Sequence, residues 1–80
     1  MALQQDEHLV RMVNQIAANL GGGRDEVQAV ESIRNHVEKF WARSMKQRLI
    51  ASLAKDDNEL APLARLATQQ LAERQAQKER

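Results

Sequence analysis

The chain contains no cysteine, and that single absence removes disulfides, thiolate zinc sites and cysteine-ligated iron–sulfur clusters from consideration. Tyrosine is missing too, and Phe40 and Trp41 are the only large aromatic side chains. Proline occurs once, at Pro62, and glycine only as Gly21, Gly22 and Gly23, so the strong chain breakers are confined to two places. Runs of β-branched residues are absent, which argues against strands. No apolar run approaches the ~20 residues of a membrane span, so no membrane partner is expected. Met1 to Val10 carries Asp6 and Glu7 without the apolar centre of a signal peptide, and the expected location is the cytoplasm. The net charge of +1 leaves no global nucleic-acid signature.

What is present is a short, helix-prone chain. Its 80 residues make one small domain, expected to be ordered from about 6 to 71 with 72–80 as a frayed tail. For so short a chain, burial at about 25 cal/mol per Å² nearly cancels an ordering cost of roughly 1.5 kcal/mol per residue. Without disulfides, the balance must come from very good helix packing or from a partner surface.

Ala, Leu, Gln, Glu and Arg dominate, all good helix formers. From about Asp6 to Leu20 the apolar residues Leu9, Met12, Val13, Ile16, Ala17 and Leu20 follow the spacing of one helix face. The glycine triplet ends this helix. Asp25, with Gln28 three residues on, reads as the capping box of a second helix. Its apolar face runs Ala29, Val30, Ile33, Val37 and Phe40, with Trp41 at the margin. Ser44 followed by Gln47 is a further capping signal. Met45, Leu49 and Leu53 line a third helix, with Ile50 off that stripe. Pro62 suits the first turn of a fourth, presenting Leu63, Leu66, Ala67 and Leu71. The fold expected is all-α, a compact bundle of about four short amphipathic helices. With only Ala42 to Ser44 between them, helices two and three read equally as separate elements or as one continuous rod.

Catalytic constellations are missing. Ser32, Ser44 and Ser52 have no Gly-x-Ser-x-Gly context. His8 and His36 belong to no His-Glu-x-x-His pattern, and His36 reads as a partly buried histidine with a local partner. Gly21 to Gly23 is followed by Arg24-Asp25 rather than Gly-Lys-Ser/Thr, so it is no phosphate loop. No catalytic, cofactor-binding or metal-ligating residue is expected. The charge is uneven, however. Arg34, Lys39, Arg43, Lys46 and Arg48 cluster with only Glu38 among them, before the acids Asp56, Asp57 and Glu59. Such a cluster is a solvated face, a docking surface for an acidic protein, or a weak helix-turn-helix DNA contact. Phe40 sits near mid-stripe and is expected in the core. Trp41 divides between core and interface, because a tryptophan at a helix margin is a common interface hot spot. The candidate partner-binding residues are Trp41, Arg43, Lys46 and Ile50.

Three segments carry a family resemblance. The run His8-Leu9-Val10-Arg11-Met12-Val13-Asn14-Gln15-Ile16-Ala17 resembles the opening of the delta subunit of cytoplasmic NAD-dependent formate dehydrogenase. His36-Val37-Glu38-Lys39-Phe40-Trp41 matches that family's His-hydrophobic-x-x-Phe-Trp segment, followed by Met45 and a Leu-rich helix. Leu60-Ala61-Pro62-Leu63-Ala64-Arg65 matches its Leu-x-Pro-Leu-x-Arg stretch. Order and spacing hold over roughly residues 7 to 67. The chain departs where the family has Asp-Pro after Phe-Trp and this sequence has Ala42-Arg43, softening the break. It also has Ala61 where the family places a capping-type residue, weakening that N-cap.

The resemblance implies a non-catalytic accessory subunit that binds the large (alpha) subunit of a molybdenum- or tungsten-dependent complex and supports its assembly or stability. Molybdopterin, iron–sulfur clusters, FMN and NAD are then expected in the partner subunits, with no cofactor in this chain. Two alternatives compete: a self-associating adaptor or regulator that forms a homodimer in isolation, and, less favoured by the charge balance, a small DNA-binding protein.

Overall fold

The computed structural model describes residues 4–23, 25–55 and 59–78. These residues form four α-helices, α1 (Gln4–Gly21), α2 (Glu26–Phe40), α3 (Arg43–Ala51) and α4 (Pro62–Lys78), with a 3-10 turn at Ser52–Ala54 after α3. The described residues form no strand. Asp56 and Asp57, and the last two positions of the chain, lie outside them.

The expected face of α1 is the buried one. Leu9, Val13 and Ala17 are core residues, and Met12, Ile16 and Leu20 pack half-buried against them. The glycines end the helix as anticipated, and Gly23 has φ +73°, a conformation that costs glycine little. Gly21 does a second job, since a Cβ there would lie 2.7 Å from Leu63 Cδ1 at the start of α4. Asp25 stands at the N-cap of α2 but its side chain makes no capping hydrogen bond, so the capping box does not form.

Helices α2 and α3 are separate. Trp41 and Ala42 are extended (φ −90°, ψ 141° and φ −63°, ψ 153°), and Ala42, not Ser44, is the N-cap of α3. Apolar phase requires this break. On one continuous helix, Met45, Leu49 and Leu53 would fall about 160° from the stripe centred on Ile33, and no single core could bury both sets. The bend turns the α3 stripe inward, burying Leu49 and half-burying Met45 and Leu53.

One aromatic expectation changes, and the other resolves to one of its two readings. Phe40, expected in the core, is 72% exposed, whereas Trp41 is only 7% exposed and belongs to the core. Phe40 has the right angular position but occupies the last residue of α2, where the His36 ring, 4.9 Å away, packs beside it and leaves most of it exposed. The bend one residue later delivers Trp41 instead. Phe40→Ser is therefore expected to change stability by no more than about 0.5 kcal/mol, as for ordinary surface substitutions. A thermal melt showing a loss above ~2 kcal/mol would return Phe40 to the core.

Helix α4 starts at Pro62 as expected, but its buried face is Ala64, Ala67, Thr68 and Leu71. Leu66 is 37% exposed, because it lies roughly 150° from Ala64 and Leu71 taken together. Small side chains let the helices approach closely: Ala29 and Ala64 are fully buried. The buried hydroxyl of Thr68 donates to Ala64 O at 2.7 Å, and that of Ser52 donates to Leu49 O. Neither hydroxyl is left unsatisfied. The helix runs on through Lys78, past the Ala72 limit that its polar composition suggests.

Candidate functional site

The site grows from α4's continuation. Beyond Leu71 the inward stripe continues at the helical spacing as Gln75 and Lys78, so a core face becomes a polar wall. Opposite stands Glu38 on α2, and α3 contributes Arg43 and Lys46. These residues and Leu71 line an open cleft of about 340 Å³.

Glu38 organises the cleft. Arg74 Nε donates to Glu38 Oε2 at 2.8 Å and Arg74 Nη2 to Oε1 at 3.3 Å, the forked geometry that suits guanidinium and carboxylate. Arg34, one turn before Glu38, places Nη1 3.5 Å from Glu38 Oε1 and donates through Nε to Gln70 Oε1 at 3.2 Å. Lys46 Nζ donates to the backbone oxygen of Glu38 at 3.2 Å. That oxygen is among the last carbonyls of α2, where a cation complements the helix dipole. Helices α2, α3 and α4 are thus tied together at one residue. The Arg34 side chain is 10% exposed, and its Nη1 is buried without a hydrogen-bond partner.

The fork from Arg74 lowers the Glu38 pKa below its ordinary 4.5, outweighing the opposing effect of desolvation, and Lys78 and Arg34 add to the lowering. The Arg74 pKa is raised correspondingly, first by its hydrogen bond to Glu38. Because the folded-state pKa of Glu38 is depressed, its stabilisation is complete above the ordinary value and is lost as pH falls through the folded one. Glu38→Gln should therefore lower the melting temperature at neutral pH, with the difference from wild type shrinking as pH drops below 4.5. A difference that stays constant with pH would show that the carboxylate charge is not what Arg74 holds.

Arg43 is exposed and Lys46 half-buried, and both line the cleft. Ile50 is half-buried and packs against the core. Trp41 lies in the core itself, with 7% of its surface exposed. His8 is exposed. His36 is half-buried, its ring centroid 4.9 Å from that of Phe40 at a 47° tilt. Among the described residues, no group of three or more His, Cys, Asp or Glu side chains could hold a metal ion. No helix among them is long and apolar enough to cross a membrane.

The linear pattern singled out none of Arg74, Gln75 and Lys78, which fall in the stretch expected to fray. Their phase with Leu71 was the signal. It also missed Asn14, whose Nδ2 donates to Glu59 O at 2.8 Å while its Oδ1 accepts from the Ala61 N–H at 2.8 Å. This amide imitates one rung of a sheet ladder and holds the segment leading into α4.

The model of a family described as the NADH-dependent formate dehydrogenase delta subunit matches residues 8–68. No curated protein and no solved structure matches.

Proposed function

The chain belongs to the delta-subunit family of NADH-dependent formate dehydrogenase, and from that premise we propose that it is a non-catalytic accessory subunit. It binds the large alpha subunit of the complex and supports its assembly or stability. The family match over residues 8–68 carries this reading.

Other observations support it. The sequence has no cysteine to ligate an iron–sulfur cluster, so the clusters of such a complex would be held by other subunits. Molybdopterin (with molybdenum or tungsten), FMN and NAD are assigned to those subunits as well. Oxidation of formate and reduction of NAD then take place in the partners, in the cytoplasm. Arg43, Lys46 and Ile50 are the proposed docking residues, while Trp41 holds the bend that presents them.

The test is affinity purification of the tagged chain from its native host, grown so that formate dehydrogenase is expressed. The expected result is recovery of the large subunit in stoichiometric amount. Recovery of no formate dehydrogenase subunit under those conditions overturns the proposal.

A further inference from the structure

Resting on that subunit reading, we propose that the cleft between α2, α3 and α4 receives an acidic segment of the partner, two neighbouring carboxylates flanked by an apolar side chain. Charge is the first argument. Arg43, Lys46 and Lys78 line the cleft, where Glu38 is the one carboxylate among the described residues, and Arg34 and Arg74 reach that same carboxylate from α2 and α4. Among the described residues, Arg34, Lys46, Arg74 and Lys78 gather at Glu38.

Hydrogen-bond demand is the second. Glu38 takes the forked Arg74 on both oxygens, and Arg34 Nη1 remains buried with no hydrogen-bond partner. A buried donor left unmet costs about 1–3 kcal/mol. An incoming carboxylate that engages Lys78 and draws Arg74 toward itself releases Glu38 to close on Arg34. Glu38 is in this sense the chain's own stand-in, already demonstrating that a carboxylate fits between these guanidinium groups.

Shape is the third. A volume of about 340 Å³ is at the small end of ligand clefts and admits a few side chains of a segment, not a folded face. Leu71 lies in the wall and offers an apolar contact between charged rims. Duplex DNA fits less well. Its recognition needs an extended basic stripe, and here a carboxylate stands at the centre on a chain of net charge +1.

Two measurements on the full chain test this. In the first, a synthetic peptide of Glu and Leu residues is titrated into the purified protein, followed by amide NMR shifts, with a short duplex DNA in parallel. Shifts centred on Lys46, Leu71, Gln75 and Lys78, with affinity falling as salt rises, are expected. Arg43→Glu combined with Lys78→Glu should weaken binding by about tenfold or more, since it sets like charges against the peptide. The charge-matched pair Lys39→Glu and Lys55→Glu should not, and thermal melts verify that all variants are folded. Equal weakening by both pairs, no shifts in the cleft, or tighter binding of the duplex overturns the proposal.

In the second, the assembled complex is treated with a carbodiimide, which joins lysine amines directly to touching carboxylates. Links from Lys46 or Lys78 to Asp or Glu of the partner are expected. A complex that forms but links only through Lys39 and Lys55 overturns the cleft and leaves the subunit reading intact. A chain that binds the peptide in its cleft yet joins no dehydrogenase subunit overturns the subunit reading instead.

Discussion

Trp41→Ala is expected to cost the isolated chain about 3–5 kcal/mol, the range for truncating a buried aromatic. A domain of this length has a total stability of roughly 4–12 kcal/mol, so the variant should be largely unfolded or melt at a much lower temperature. Three features concentrate the effect. Trp41 is 7% exposed, so its removal leaves a cavity that an 80-residue core has few side chains to refill. It sits at the bend, its N–H donating to Val37 O at 3.0 Å, and its burial holds α3 at its angle to α2. It is also the only tryptophan, so its fluorescence reports the packing directly. The native emission should be that of a water-shielded indole and should shift to the red on unfolding. Trp41→Phe should retain much of the stability, because an aromatic ring still fills part of the site. A Trp41→Ala variant that melts like wild type but no longer joins the enzyme complex would make Trp41 a docking residue after all.

Asn14→Ala is expected to cost about 2–3 kcal/mol and to lower the melting temperature by roughly 10–20 °C. The half-buried amide satisfies both the Ala61 N–H and the Glu59 carbonyl. Alanine can satisfy neither. The orientation of the amide is dictated by its partners, since the N–H needs an acceptor and the carbonyl a donor. Losing it would release the segment that carries buried Leu60 into the core and sets the first turn of α4. Asn14→Asp should be destabilising too, because a carboxylate keeps the acceptor but opposes the Glu59 carbonyl with another oxygen. Gln15→Ala, at an exposed neighbouring position, serves as the near-neutral control. Hydrogen exchange at the Ala61 amide should accelerate in Asn14→Ala. An unchanged melting temperature together with unchanged exchange would mean that Leu60 and Pro62 place this segment unaided.

These two residues also mark where a linear reading succeeds and where it stops. The α1 stripe, the glycine stop and the Pro62 start were legible because each depends on neighbours within about one turn. The α2–α3 break was legible in principle, through the phase mismatch between the Ile33 and Leu49 stripes, although Ala42-Arg43 contains no strong breaker. Leu66, expected on the buried face, turns outward because α4 has few large apolar residues and its alanines and Thr68 carry the packing.

The candidate site was legible only in part. The basic run with Glu38 inside it was visible, and Arg43 and Lys46 do line the cleft. Their partners on α4 were not, because Arg74 is 36 residues from Glu38 in the chain. Only the phase of Gln75 and Lys78 with Leu71 distinguishes this inward polar tail from a solvated one, since its composition is the same in either case.

By itself, then, the sequence determined that this is an all-helical, cysteine-free chain with amphipathic stripes, a glycine stop and the segment pattern of the delta-subunit family. Periodicity specifies the direction in which a side chain leaves its helix axis, and capping residues specify where the axis ends. Only the tertiary structure decided what stands in that direction. It left Phe40 uncovered at the end of α2, turned Trp41 inward, and met the α4 tail with Glu38. It also set the Asn14 amide against the loop that opens α4. Each of these depends on how far a neighbouring helix extends and at what angle it lies, and both follow from packing between segments remote in the chain.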